Sequence, residues 1–183
     1  MKAVVCTKLG KPNLLEIKDI DKPTINKDEV LIKVEVAGVN FPDALLVQGK
    51  YQIVIDPPFI PGNEVCGIIE EKGENVNIPL GTKVIGIPPI GGLAEFVTIN
   101  KNLVIPVSMN FDSLAGASLP INYGTSYYAL KRRANAQSGE SLLVLGASGG
   151  IGTATIQLAK VMGLKTICAV GSDDKAEYVK SLG

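Results

Sequence analysis

The stretch Leu142–Lys160, LLVLGASGGIGTATIQLAK, constrains this chain more than any other. Leu142–Leu145 reads as a buried strand. Gly150–Met162 reads as a helix with Ile151, Ala154, Leu158 and Met162 on one apolar stripe, ended by Gly163. Between them Gly146, Gly149 and Gly152 form a G-x-x-G-x-x-G turn. Glycine at such a turn adopts backbone angles closed to other residues. A bare first helical turn lets N–H groups approach an anion, and the third glycine lets the helix pack close on the strand. A second strand, Thr166–Val170, and a second helix, Asp173–Leu182, follow. Strand, helix, strand, helix is the opening of a parallel sheet, and a glycine turn placed this way holds the pyrophosphate of a dinucleotide. Ser148, Gly149, Gly150 and Ile151 are its expected pyrophosphate contacts; the alternative is a tight strand-to-helix turn with no ligand.

The end of the second strand bears on the choice of dinucleotide. An NAD site places Asp or Glu there, about 20 residues beyond the turn, to bind the ribose 2′-hydroxyl. Here Val170 and Gly171 stand in that place, with Ser172 and Lys175 next to it. A hydroxyl and a lysine suit a 2′-phosphate, so the expected cofactor is NADPH. Asp173 and Asp174 oppose that choice unless they serve to cap the following helix.

The first hundred residues carry a different pattern. Glu29–Val39 alternates, with Val30, Ile32, Val34 and Val36 expected on one face. Phe41–Gly49 reads as a short helix opened by Pro42. Val65–Glu71, Gly81–Ile87 and the two halves of Leu93–Val107 read as further short strands between Gly, Pro and Asn turns. Many short strands of this kind predict a β-barrel or sandwich. From Asn110 the pattern becomes helical. Asn110–Leu119, capped by Asn110 or Asp112, and Ile121–Ala136 read as two helices separated at Pro120, with Tyr127 and Tyr128 in the core. The expected organisation is α/β with a β-barrel: a barrel domain over 1–120, then the first part of a doubly wound parallel sheet over 121–183.

Composition excludes several functions. Eighteen basic and eighteen acidic residues give zero net charge without a basic block, which argues against nucleic-acid or anionic-membrane partners. Ser141–Ala159 is uncharged and long enough to span a bilayer, but its glycines and hydroxyl residues mark a strand and helix of a soluble core. There is no histidine, which removes His-based acid–base catalysis and most zinc chemistry. The three cysteines, Cys6, Cys66 and Cys168, are far apart in apolar runs and are expected as buried thiols of a reducing, cytoplasmic compartment.

Three segments together, AGVNFPDALLVQGKYQ…PFIPGNEVCGIIEEKGENV, LPINYGTSYYAL and LVLGASGGIGTATIQLAK, resemble the medium-chain dehydrogenase/reductase superfamily, and within it the zinc-free quinone-oxidoreductase group. The resemblance runs in order along the whole chain. It implies a GroES-like β-barrel catalytic domain followed by a Rossmann domain, and hydride transfer from NADPH to a quinone or an α,β-unsaturated carbonyl. It places Asn40 and Tyr51 in the catalytic cleft: Asn40 to orient the nicotinamide or donate to a carbonyl, Tyr51 to donate a hydrogen bond or proton. Asn122 and Thr125 resemble residues that meet the nicotinamide end, and Tyr123 a pocket residue. Zinc members of the superfamily carry Cys and His ligands where this chain has Asn40 and Asn63; Glu64 remains, and no ligand occurs near Leu119–Asn122. Two amides and one carboxylate make a poor zinc site, so no metal is expected.

Members of that group are nearly twice as long. The expectation is therefore a fragment or truncated product with an unfinished sheet, inclined to form homodimers and inactive alone. Two other readings stay open: an enoyl- or acryloyl-CoA-type reductase, and a non-catalytic dinucleotide-binding module.

Overall fold

The computed structural model describes residues 1–183. Two compact units divide the chain, Met1–Ser118 and Leu119–Gly183. The first unit holds strands β1 (Lys2–Val5), β2 (Glu16–Asp19), β3 (Glu29–Ala37), β4 (Val65–Lys72), β5 (Lys83–Gly86), β6 (Phe96–Asn100) and β7 (Val104–Pro106), with helix α1 (Phe41–Val47) between β3 and β4. Five strands form an antiparallel sheet in the order β6-β3-β4-β5-β7, and β1 pairs with β2 separately. Isolated bridges from Ala3 to Ala94 and from Cys6 to Phe59 tie the β1 segment to the loops around the sheet. This is the antiparallel architecture of many short strands that the sequence pattern predicts.

The alternation in β3 holds for only part of its length. Val30 and Ile32 are fully buried among Val65, Ile69, Val84, Val97 and Ile99. The register with β4 slips between Leu31 and Ile32 and again between Val34 and Val36. Beyond the second irregularity Val36 packs with Cys66, Ile85 and Ala117 instead. A bulge re-aims the side chains that follow it, which a strict period of two does not anticipate.

A single helix, α2 (Ser113–Tyr127), replaces the two expected around Pro120, and it runs on into one π-helical turn, Tyr128–Arg133. Asp112 caps it, its Oδ1 accepting the Leu114 N–H at 3.1 Å. Pro120 removes one helical hydrogen bond without ending the helix. Ser126 and Leu130 lie on the buried side of this stretch. Tyr127 and Tyr128, expected in the core, are exposed.

The second unit continues with β8 (Ser141–Leu145), α3 (Gly150–Val161), β9 (Lys165–Ala169) and α4 (Asp173–Leu182). β8 and β9 are parallel and in register, Leu145 opposite Ala169. Val144, Ala147, Ile156 and Val179 form the core between this ribbon and its helices. Of the expected stripe on α3, Ala154 is buried and Leu158 and Met162 pack against Leu130, Ala159 and Leu164, while Ile151 is exposed; Gly152 and Ile156 are buried as well. The opposite face of the ribbon carries Leu143, Leu145 and Ile167, all exposed. No helix is long and apolar enough to cross a membrane.

Candidate functional site

In the first unit the chemistry gathers where α1 begins. Asn40 is the N-cap residue of α1 and is paired with Asp43 in a capping box. Asp43 is buried, at 6% exposure. Its Oδ2 accepts the Asn40 N–H at 2.8 Å and its Oδ1 accepts the Gly62 N–H at 3.0 Å. The Asn40 side chain also meets Asn63 and Glu64. Its Nδ2 donates to Glu64 Oε1 at 2.7 Å and to Asn63 Oδ1 at 3.3 Å. Glu64 is 1% exposed, and its backbone carbonyl accepts the Gly38 N–H at 3.0 Å. Gly62 has φ +101°, and a Cβ there would stand 2.6 Å from the Leu93 nitrogen, so only glycine lets the loop pass beside Leu93.

This cluster borders a pocket of about 220 Å³. Leu46, Ile53, Ile55 and Ile90 supply apolar wall, and Tyr51 and Asn63 supply polar groups. Asp43 is its one charged lining residue, with both oxygens already accepting backbone N–H groups. Tyr51 thus lies in the pocket, whereas Asn40 meets it through Asn63. Both hydrogens of the Asn40 amide are engaged inside the protein. In the sequence Asn63 is visible only as a missing metal ligand. A polar residue between Gly62 and a buried glutamate is the signal that marks it.

In the second unit the glycine turn follows β8. Gly146 has φ +64°, and the Gly149 N–H donates to the Gly146 carbonyl at 3.0 Å. A Cβ on Gly152 would stand 2.6 Å from Ala147 Cα, so its absence lets α3 start against the turn. The first helical bond runs from the Thr153 N–H to the Gly149 carbonyl at 2.8 Å. The Gly150, Ile151 and Gly152 N–H groups therefore have no helical carbonyl to meet, and no side chain caps them. Gly149 and Gly150 are exposed and Ser148 is half-buried.

The later part of α2 is registered on this turn. Asn122 abuts Gly150, where a Cβ would stand 2.6 Å from Asn122 Oδ1. Ser126 Oγ donates to the Ile151 carbonyl at 3.2 Å and accepts from Thr155 Oγ1 at 3.0 Å, while the Tyr123 hydroxyl donates to Gln157 Oε1. Thr125 is exposed and takes no part in these contacts. The in-register pairing of β8 and β9 brings Gly146 and Gly171 to the same, C-terminal end of the two strands. Ser172 is the N-cap of α4, in place of the two aspartates, which sit exposed in the helix's first turn. Lys175 is exposed one step further on.

Residues 26–109 match the alcohol dehydrogenase GroES-like domain. The chain is 38% identical over its full length to quinone oxidoreductase-like protein 2 of Bos taurus and covers 52% of that protein. It is 37% identical to the quinone oxidoreductase of Rattus norvegicus, covering 56% of it. Among solved structures it superposes along its whole length on 58% of the quinone oxidoreductase of Thermus thermophilus, a protein also determined in complex with NADPH, with a TM-score of 0.89 at 38% identity. The chain thus spans about half the length of the curated relatives it matches.

Proposed function

The chain carries the alcohol dehydrogenase GroES-like domain and is a homologue of the quinone oxidoreductases of the medium-chain dehydrogenase/reductase superfamily, and on that premise we propose that it belongs to an oxidoreductase reducing a quinone or α,β-unsaturated carbonyl with NADPH. Residues 1–120 serve as the acceptor-binding, catalytic part and 121–183 as part of the dinucleotide-binding domain.

The observation that carries this reading is the bare first turn of α3. Three backbone N–H groups without helical partners, at the positive end of a helix dipole and beside the C-terminal ends of parallel strands, suit a pyrophosphate. The cradle fits the group because glycine at 149, 150 and 152 keeps side chains out of it. NADPH, when bound, supplies the hydride. The residues of this chain hold and orient. Ser148 and the Gly149–Ile151 backbone bind the pyrophosphate, with Asn122 and Thr125 toward the nicotinamide. Ser172 and Lys175 meet the 2′-phosphate, a role that Asp173 and Asp174 oppose by charge. Asn40 Oδ1 accepts a hydrogen bond from a ligand amide, and the Tyr51 hydroxyl donates to the acceptor's oxygen.

No metal ion is part of this reading: two amides and one carboxylate, Asn40, Asn63 and Glu64, make a poor zinc site. The pocket's apolar walls, with no basic residue among the lining groups, favour a neutral, flat acceptor over an acyl-CoA ester.

The test is titration of the 183-residue chain with NADPH and with NADH, followed by nicotinamide fluorescence. Tighter binding of NADPH, with the preference lost in Lys175→Ala, supports the reading. Binding of neither overturns the assignment of a cofactor site to this chain.

A further inference from the structure

We infer that Asn63 is a second residue, beside Tyr51, that hydrogen-bonds the acceptor's oxygen, donating through Nδ2 from the wall of the apolar pocket; the inference rests on that pocket being the acceptor site. The argument is one of amide polarity. An Asn side chain has one end that donates and one that accepts, and a carboxylate oxygen accepts. The end of Asn40 that lies 2.7 Å from Glu64 Oε1 must therefore be its nitrogen. The same nitrogen lies 3.3 Å from Asn63, so Asn63 must present its oxygen to it. That orientation turns Asn63 Nδ2 the other way. No protein acceptor takes it, and every buried side-chain polar atom in the chain is partnered, so Nδ2 stands on the open side of a residue that lines the pocket.

The backbone beneath it is held as firmly. Asp43 pins the Gly62 N–H, and the Leu93 backbone passes too close to Gly62 for a side chain. The pocket thus has a fixed donor, Asn63 Nδ2, and a rotatable hydroxyl, Tyr51. Its only carboxylate already accepts from Asn40 and Gly62. Such a set recognises a ligand oxygen that accepts, as in a carbonyl or quinone.

The experiment uses the full, ¹⁵N-labelled chain with two probes of the same shape. Duroquinone has no ring hydrogen for thiols to displace, and durene is the same methylated ring without oxygens. Duroquinone is expected to shift the Asn63 side-chain amide signals. Asn63→Asp keeps the oxygen facing Asn40 but removes the donor, and is expected to bind duroquinone about fivefold to tenfold more weakly while binding durene unchanged. If duroquinone binds with the Asn63 amide signals unmoved and Asn63→Asp binds it as well as the wild type, the assignment of Asn63 falls and the pocket reading stands. If the wild-type chain binds no duroquinone, the pocket reading falls and takes this inference with it. Should Asn63→Asp fail to fold, the wild-type amide shift alone decides.

Discussion

Asp43 and Gly62 are joined by a buried hydrogen bond, Oδ1 accepting the Gly62 N–H at 3.0 Å across 19 positions of chain. With Oδ2 on the Asn40 N–H, one carboxylate sets two loops against each other. Asp43→Asn offers only one acceptor atom, so one of these N–H groups loses its partner inside the protein. The expected loss of stability is about 1–3 kcal/mol in urea unfolding. The Asn40 side-chain amide signals should broaden or move in the same variant. Unchanged stability would mean that solvent replaces the lost bond.

The glycine turn separates two kinds of glycine requirement. Gly146 needs its left-handed φ but has open space around it, so Gly146→Ala should cost about 1–2 kcal/mol and Gly146→Asn less. Gly152 needs the absence of a Cβ, because Ala147 backbone occupies the place. Gly152→Ala should cost a similar ~1–3 kcal/mol, and Asn should be worse than Ala there. Urea unfolding of the four variants checks the reversed order.

Glu35 provides a pH handle. The Ser113 hydroxyl, donating at 2.6 Å, is the main influence holding its carboxyl below the ordinary value near 4.5, with the Lys83 ammonium at 3.3 Å adding to it against the opposing effect of burial. A carboxyl whose folded value is depressed stabilises the fold above its ordinary value, and that contribution disappears as pH falls through the lower folded value. Glu35→Gln should therefore be less stable than wild type at pH 7, with the gap closing below about pH 4.5. Urea midpoints from about pH 7 down to about pH 3 test this. A gap independent of pH would assign the effect to packing.

The thiols should divide in a reaction with a disulfide reagent. Cys6 and Cys66 are buried, and burial pushes both thiols up, so the thiolate is scarce as well as shielded. Cys168 is half-buried and should react first. The other two should appear only as the chain unfolds. Three equal rates would contradict the packing of the first unit.

The legible parts of the sequence are those where one local rule acts alone. α4 falls on the stretch its pattern predicts, and the glycine turn lies between the strand and helix that its spacing requires. The misread parts are those where two rules compete. Pro120 costs a helical bond, and the sequence alone counts that as a break. The structure continues α2 and packs Ser126 and Leu130 beyond it. Val36 obeys alternation until a bulge moves it to another cluster. Asn63 is hidden for a different reason. Its role depends on which end of the Asn40 amide meets Glu64, and that relation exists only once residues 24 positions apart are brought together.

The bare face of the β8–β9 ribbon has a consequence for handling the chain. Leu145 is 75% exposed, with Leu143 and Ile167 at 59% beside it. Salts excluded from protein surfaces penalise such area most. This chain should leave solution early on an ammonium sulfate ramp, and more readily when warmed from the cold. A lysine at position 143 or 167 should delay precipitation without touching the pocket lined by Tyr51 and Asn63. Two short strands thus contribute to how concentrated a solution of this chain can be made.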